Sequence, residues 1–219
     1  MSEKLNRIID WMNEFKEKNN VKGVVLGLSG GKDSTVVAML AKKVFGDNVI
    51  AVSMPNGYQQ DIDDVRAIIS ALKLDSPLVN IQNTFNQLLN DTPVPISDKA
   101  KTNIAPRIRM TVLYSIAQSF GYLVIGTGNK SEAMIGWTTK FGDSACDFNP
   151  IGHLTCREVI EIGKELAAEF GLDINYIVKK PADGLTNRLM KITLVSPMMN
   201  SMTILCTALR AITSIRLKT

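Results

Sequence analysis

An octapeptide with two adjacent glycines follows a short apolar run and leads into a helical pattern. The apolar run is Val24–Leu26, the octapeptide spans residues 27–34 (Gly-Leu-Ser-Gly-Gly-Lys-Asp-Ser), and the helical pattern spans Ser34–Phe45. Adjacent glycines let the backbone turn tightly and approach a ligand without a Cβ in the way. The N–H groups at the start of the helix favour an anion such as phosphate. The octapeptide therefore predicts a phosphate-binding turn between a strand and a helix.

The simplest alternative is a Gly-Gly turn that only connects the two elements. The octapeptide is not a Walker A loop, which needs a Lys-Ser/Thr pair after its second glycine, and its glycine spacing differs from the dinucleotide fingerprint. Asp33 adds a carboxylate of the kind that binds a hard cation. The octapeptide resembles the pyrophosphate-binding loop of the ATP pyrophosphatases, which cleave ATP between its α- and β-phosphates.

Short apolar runs alternate with helical patterns along the chain. The runs predict buried strands at Val24–Leu28, Val49–Met54, Leu78–Ile81 and Leu123–Gly126. Helices are predicted near Glu3–Asn19, Ser34–Phe45, Gln60–Leu72, Thr84–Leu89, Asn103–Phe120 and Leu154–Phe170, with Gly171 as a helix stop and residues 91–101 as a mobile loop. This alternation predicts an α/β fold, a Rossmann-like parallel sheet with helices on both faces. Ligands of such sheets bind beyond the carboxyl ends of the strands, where the octapeptide lies.

Composition limits the class of protein. The chain has 219 residues, of which 45% are hydrophobic and 21% charged, as is usual for one globular domain. No segment approaches the roughly 18 consecutive apolar residues of a membrane span, and the first residues lack a signal-peptide pattern, so a cytoplasmic protein is expected. Cys146, Cys156 and Cys206 form no CxxC pair, which disfavours a disulfide framework or a zinc site. The lone His153 is predicted to be structural rather than catalytic.

The positive net charge is concentrated near the end of the chain. Residues 1–183 contain 20 Lys and Arg against 21 Asp and Glu, a net charge of −1, whereas residues 184–219 contain five basic residues and no acidic one. The body of the protein is therefore not basic, and no nucleic-acid partner is indicated.

A second polar segment follows the last predicted strand. It reads Gly-Thr-Gly-Asn-Lys-Ser-Glu over residues 126–132, then Gly-Trp-Thr-Thr-Lys-Phe-Gly-Asp over 136–143 and Cys-Asp-Phe-Asn-Pro-Ile over 146–151. Polar residues this dense build a poor core, but they suit a polar ligand. For Ser131 and Glu132 alone, a place at the start of a helix is the simpler interpretation.

Four segments together resemble the synthetase domain of the NAD synthetases, in its stand-alone ammonia-dependent form. They span residues 29–34, 54–61, 107–110 and 126–151, and the resemblance covers about residues 1–187, which we interpret as one ATP pyrophosphatase domain. The resemblance implies an adenine-nucleotide α-hydrolase-like fold and a homodimer. The first helix and the helix at Arg107–Phe120 carry apolar faces that could form the dimer interface or belong to the core. Because 219 residues leave no room for a glutaminase domain, free ammonia is the expected nitrogen donor.

The resemblance also implies a reaction and a set of site residues. ATP activates the nicotinate carboxylate of deamido-NAD as an acyl-adenylate, pyrophosphate leaves, and ammonia attacks the carbonyl to give NAD and AMP. No nucleophilic side chain is needed, because the protein orients the substrates and stabilises charge. By resemblance, ATP contacts Gly27, Leu28, Ser29, Gly30, Gly31, Lys32, Asp33, Ser34 and Thr127, deamido-NAD contacts Arg107, Lys140 and Asp147, and Mg²⁺ is held by Asp33 and Glu132.

One position departs from the family pattern. The family places a phosphate-contacting lysine in a Leu-x-Lys-Arg segment, where this chain reads Leu154-Thr-Cys-Arg157 and therefore has Cys156. A thiol cannot supply that cation, and one charge-assisted contact to a phosphate contributes about 1.5–3 kcal/mol. Lys179 and Lys180 are candidates for compensation.

The second departure is the tail after Asn187. Where the family continues with an acidic stretch, this chain is Met-rich and has no acidic residue. Loss of one base at Arg188 explains the change: methionine has a single codon, so Met190-Lys191 and Met198-Met199 give Glu and Asp in the shifted frame. We interpret residues 188–219 as an aberrant, frameshifted tail rather than a domain, with a divergent tail as the alternative. Codons over residues 190–203 that cannot encode the acidic stretch would exclude the frameshift.

The tail affects the activity that we expect. The segment it replaces helps to close the site in the family, so weak or no synthetase activity is expected from this polypeptide, with ATP binding partly retained. The alternatives are another ATP pyrophosphatase, tRNA-thiolating or GMP synthetase-like, or a non-catalytic ATP-binding remnant. Pyrophosphate release that depends on deamido-NAD and ammonia distinguishes these hypotheses.

Overall fold

A computed structural model describes residues 1–58 and 61–178. Gln60, Lys179, Lys180 and the tail after Asn187 lie outside the described residues, so the predictions made for them stay predictions. The described elements are, in chain order, α1 (Glu3–Lys18), β1 (Val24–Gly27), α2 (Lys32–Phe45), β2 (Val49–Val52), α3 (Ile62–Leu72), α4 (Gln82–Asp91), α5 (Asp98–Thr102), α6 (Ile104–Phe120), β3 (Leu123–Val124), α7 (Lys130–Ile135), α8 (Cys156–Phe170) and α9 (Asn175–Val178).

The strands of the described residues form one parallel sheet in the order β2-β1-β3. Val24 of β1 pairs with Val49 of β2 on one side and with Leu123 of β3 on the other. Helices connect these parallel strands, as the geometry of parallel pairing requires. The predicted α/β fold with a parallel sheet is therefore confirmed, and the carboxyl ends of all three strands lie at one edge.

Alternate side chains of the sheet enter two apolar cores. Val24 and Leu26 pack on one face, in the core that includes residues of α1, α2, α3 and α8. Val25 points to the other face, where the core is built mainly from α6. Helices thus cover both faces, and the apolar residues of α1 (Leu5, Ile8 and Met12) are buried in the first core. That burial removes them as a surface for association.

The predicted strand at Leu78–Ile81 is wrong. This segment forms only an isolated parallel bridge between Ser53 and Leu78, supported by a hydrogen bond from the Val79 N–H to the Ser53 carbonyl at 2.8 Å. Pro77 has no N–H to extend the ladder, and Leu78 is 59% exposed rather than buried. The segment therefore follows the end of β2 without becoming a strand.

Several predicted boundaries also shift. The helix expected from Ser34 begins at Lys32, and the helix expected from Leu154 begins at Cys156. The predicted loop over residues 91–101 is partly helical, because α4 extends to Asp91 and α5 begins at Asp98. Gly171 ends α8 in the left-handed conformation, as predicted. Within residues 1–58 and 61–178, no helix is long and apolar enough to cross a membrane.

Candidate functional site

The octapeptide forms a compact turn at the carboxyl end of β1. Its two serine hydroxyls, Ser29 Oγ and Ser34 Oγ, lie 3.0 Å apart. The Gly31 N–H donates to Ser29 Oγ at 3.2 Å, and Ser34 Oγ donates to the Gly31 carbonyl at 3.0 Å. Gly30 has a φ of +79°, and a Cβ on it would lie 3.0 Å from a methyl group of Val65. Glycine is therefore required at position 30 for both conformation and space.

The turn leaves the amino end of α2 without a side-chain cap. Gly31 is the N-cap residue, and no side chain bonds to the first N–H groups of the helix. Those N–H groups and the helix dipole attract an anion. The predicted phosphate site at residues 27–34 thus has the required local geometry.

Lys32 and Asp33 form an ion pair in the first turn of α2. Lys32 Nζ lies 2.5 Å from Asp33 Oδ2, and Lys32 is only 8% exposed. Burial lowers the pKa of Lys32, but the Asp33 carboxylate outweighs that effect, with smaller contributions from Cys156 and Glu132, so the pKa lies above its ordinary value. The ammonium therefore stays charged beside the turn.

Asn129 brings the second polar segment to Asp33. Its Nδ2 donates to Asp33 Oδ1 at 3.1 Å, across 96 positions of sequence. Asn129 is also the N-cap of α7: its Oδ1 accepts from the Glu132 N–H at 3.0 Å, and Glu132 Oε2 accepts from the Asn129 N–H at 3.0 Å. This reciprocal pair is a capping box. The interpretation of Glu132 as a residue at the start of a helix is therefore correct.

Glu132 also lies close to Asp33. Burial raises the pKa of Glu132, the Asn129 N–H lowers it, and the negative charge of Asp33 raises it again, so the net shift is upward. Two carboxylates in this position repel each other unless a cation joins them. The described residues contain no group of three or more His, Cys, Asp or Glu that could hold a metal ion. Mg²⁺ commonly binds through one or two carboxylates plus the phosphates of a substrate, and this pair fits that pattern.

The amino end of α8 packs against the amino end of α7. The Cys156 N–H donates to Ser131 Oγ at 3.0 Å, and the Lys130 N–H donates to the Leu154 carbonyl at 2.7 Å. Cys156 is half-buried and close enough to Lys32 to raise its pKa. The amino end of α8 is therefore fixed against α7, with the Cys156 thiol within electrostatic range of Lys32.

Thr127 lies half-buried in the loop between β3 and α7. The Gly126 N–H donates to the Phe148 carbonyl at 2.8 Å, and Asn149 Nδ2 donates to the Gly128 carbonyl at 2.8 Å. Both bonds fasten this loop to the segment that contains Phe148 and Asn149. Thr127 is therefore held at the carboxyl edge of the sheet, after β3, which pairs with the strand that leads into the octapeptide.

The three residues predicted to contact deamido-NAD lie near α6. Arg107 Nε donates to the Lys140 carbonyl at 3.1 Å, and both side chains are exposed. Asp147 accepts from the Val124 N–H at 2.7 Å and from the Tyr114 hydroxyl at 3.4 Å. Burial raises the pKa of Tyr114, and the negative charge of Asp147 raises it further. Arg107 and Lys140 are thus brought together, whereas the Asp147 carboxylate is engaged at the end of β3.

The NAD synthase family profile matches residues 4–191 of this chain. The chain belongs to the NAD synthase family. It is 40% identical over 188 residues to the NH₃-dependent NAD⁺ synthetase of Carboxydothermus hydrogenoformans. The matched region covers 84% of this chain and 76% of that relative.

Solved structures agree with this assignment to the NAD synthase family. The NH₃-dependent NAD synthetase of Campylobacter jejuni superposes with a TM-score of 0.73 at 35% identity, over 81% of this chain and 77% of that one. The NMN synthetase of Francisella tularensis superposes with a TM-score of 0.75 at 34% identity, over 84% and 76% of the two chains. The fold and the family predicted from the sequence are both confirmed.

Two residues of this candidate site were not singled out from the sequence. Asn129 joins Asp33 to α7, and Asp143 accepts from the Thr139 N–H at 2.8 Å and from Thr138 Oγ1 at 3.0 Å. The Asn-x-x-Glu spacing of a capping box was available as a signal for Asn129. No local pattern marks Asp143, because its role depends on a turn of irregular backbone.

His153 lies away from the site. It is exposed and lines an open groove of about 610 Å³ between α1 and the loop before α8. Trp11 and Arg7 of α1 line the same groove. Within the described part of the chain no hydrogen bond joins His153 to Asp33 or Glu132, and its structural rather than catalytic role stays a prediction.

Proposed function

We propose that this chain catalyses the amidation of deamido-NAD by ammonia at the expense of ATP, giving NAD, AMP and pyrophosphate. The observation that carries the proposal is the junction of Asp33, Asn129 and Glu132 at the uncapped amino end of α2. It joins a phosphate-binding turn to a pair of carboxylates in a chain of the NAD synthase family.

The first step is attack of the nicotinate carboxylate on the α-phosphorus of ATP. The turn at residues 27–34, with Lys32, would bind the departing pyrophosphate through backbone N–H groups and one buried cation. Thr127 would contact ATP from the neighbouring strand end. Ammonia then attacks the acyl carbon, the bond to AMP breaks, and the amide remains. No side chain forms a covalent bond in this scheme, so the protein contributes orientation and charge.

Asp33 and Glu132 would hold Mg²⁺ together with the phosphates. Held there, the ion would supply positive charge that offsets the charge of the triphosphate and of the departing pyrophosphate. The support is chemical: the two carboxylates are the ligand type that Mg²⁺ prefers, and the remaining ligands would come from ATP and water.

Arg107, Lys140 and Asp147 would contact deamido-NAD. The two exposed cations suit the pyrophosphate of the dinucleotide. Asp147 already accepts two hydrogen bonds, so its part includes positioning the end of β3 against α6.

One solved relative is an NMN synthetase, so nicotinate mononucleotide, the smaller nicotinate nucleotide, is a second candidate substrate for this chain. The test is to compare kcat/KM for deamido-NAD and for nicotinate mononucleotide, each with ATP and ammonium, by following the amide product by chromatography. We expect deamido-NAD to be preferred. A higher kcat/KM for the mononucleotide would reassign the substrate, and ATP cleavage with neither would favour another ATP pyrophosphatase or an ATP-binding remnant.

The proposal includes a homodimer formed through the α4–α6 face, and a cytoplasmic location, where ATP is available. No residue of α4 is fully buried, and Leu88 on this helix is 41% exposed. The apolar face of α1, the other candidate in the sequence, is buried in the core.

Leu88→Asp is expected to convert the dimer to monomer, because a charge in an apolar interface is costly. The measurement is molar mass by light scattering across a range of protein concentrations. Ile174→Asp is a matched control, since Ile174 is exposed to a similar degree outside this face. A Leu88→Asp protein that stays dimeric would contradict this surface.

A further inference from the structure

Phe141 has an unusual backbone conformation for an exposed aromatic residue. Among the described residues, the non-glycine residues with positive φ are Asn20, Lys73 and Phe141, and Phe141 has a φ of 62°. Its side chain is 72% exposed. The left-handed conformation is unfavourable for a bulky residue, and an exposed ring gains little from burial. Neither core packing nor local backbone preference explains this residue.

The turn around Phe141 is firmly held. The Gly142 N–H donates to the Thr139 carbonyl at 2.9 Å, and Thr139 Oγ1 donates to Asn103 Oδ1 at 2.8 Å. A Cβ on Gly142 would lie 2.9 Å from Cβ of Pro106 in α6. The surrounding contacts therefore fix the strained residue, which is the arrangement in which such strain persists at functional sites.

Two cations accompany the exposed ring. Lys140 Nζ lies 5.0 Å from the centroid of the Phe141 ring, within the range of a cation–π contact. Arg107 Nε donates to the Lys140 carbonyl, which brings a guanidinium to the same turn. A planar aromatic surface beside two exposed cations matches a nucleotide, which has a flat base and anionic phosphates.

We propose that Phe141 stacks on a heteroaromatic ring of the dinucleotide substrate while Lys140 and Arg107 hold its phosphates. The inference rests on the proposed function, because deamido-NAD is the ligand that carries two such rings and a pyrophosphate. Phe141 is thus a binding residue for the substrate that is amidated, and it has no role in binding ATP. The cation over one face of the ring fixes its orientation before the substrate arrives.

The test measures dissociation constants of the full chain for deamido-NAD and for Mg-ATP by calorimetry. Phe141→Gly removes the ring and also relieves the strained φ, whereas Phe141→Trp keeps an aromatic surface. Phe141→Gly is expected to weaken binding of deamido-NAD roughly 5- to 150-fold, as for the loss of one stacked base. Phe141→Trp is expected to stay within a few-fold of the original chain, and the affinity for Mg-ATP is expected to be unchanged in both.

A control variant and a second ligand complete the experiment. Lys73→Gly relieves the same kind of strain outside the site and is expected to leave both affinities unchanged. If Phe141→Gly also weakens nicotinate mononucleotide binding, the stacked ring is the nicotinate; if it does not, the ring is the adenine. A Phe141→Gly protein that binds deamido-NAD as tightly as the original chain would overturn the inference. Failure of the original chain to bind deamido-NAD would instead overturn the proposed function.

Discussion

Glu132→Gln is expected to lower the rate of pyrophosphate release by about 100-fold or more, because it removes one of two carboxylates proposed for Mg²⁺. The substitution keeps the shape of the side chain. Glutamine also closes a capping box, so the hydrogen bonds that join Glu132 to Asn129 at the start of α7 are preserved. The measurement is the rate of pyrophosphate release as a function of Mg²⁺ concentration, with the thermal unfolding midpoint as a check on folding.

Glu158→Gln is the matched control for that prediction. Glu158 closes the capping box of α8 with Thr155, in the same position that Glu132 occupies in α7. Hydrogen bonds from Lys4 and Thr155 lower the pKa of Glu158 to about 2, so this residue too is a charged carboxylate. We expect its substitution to leave the Mg²⁺ dependence unchanged. Equal losses in the two variants would show that Glu132 acts only as a helix cap.

Cys156→Lys is expected to tighten binding of Mg-ATP by about 10- to 100-fold, the equivalent of one charge-assisted contact to a phosphate. The basis is that Cys156 is the first residue of α8 and lies within electrostatic range of Lys32. A lysine there would place a second ammonium at the phosphate-binding turn. Repulsion between the ammonium groups of Lys32 and of the new lysine would destabilise the chain without ATP. The phosphates of ATP would relieve this repulsion when they bind.

Cys156→Met separates charge from size, because methionine has about the length of lysine and no charge. We expect the methionine variant to bind Mg-ATP no more tightly than the original chain. The measurement compares both variants by calorimetry at one ionic strength. A lysine variant that is no tighter than the methionine variant would contradict the view that position 156 faces the phosphates.

The parts of the fold with short-range signals were predictable from the sequence. The apolar run before the octapeptide and the glycines within it predicted β1, the turn and α2, and Gly171 predicted the end of α8. The segment at Leu78–Ile81 has the composition of a strand, but it forms only an isolated bridge beside the end of β2, and Leu78 is exposed. Strand composition alone does not reveal whether a neighbouring strand can complete the hydrogen bonds.

The site was only partly predictable, for the same physical reason. The residue type of Asp33 suited a cation and Glu132 was added only by the family resemblance, whereas the contact between Asn129 and Asp33 joins residues 96 positions apart. Such a pairing depends on how the strand ends meet at the edge of the sheet. The sequence also left open which apolar helix residues belong to the core, and Leu5, Ile8 and Met12 of α1 are buried there.

The most direct test of the central claim follows an oxygen atom from deamido-NAD to AMP. The full chain is incubated with ATP, Mg²⁺, ammonium and deamido-NAD that carries ¹⁸O at both oxygens of its nicotinate carboxylate, and the AMP is analysed by mass spectrometry. Slow turnover is sufficient, because product accumulates over the incubation. Activation as an acyl-adenylate predicts one ¹⁸O in each AMP formed with NAD. AMP without the label, or AMP released at the same rate without deamido-NAD, would contradict the proposed function.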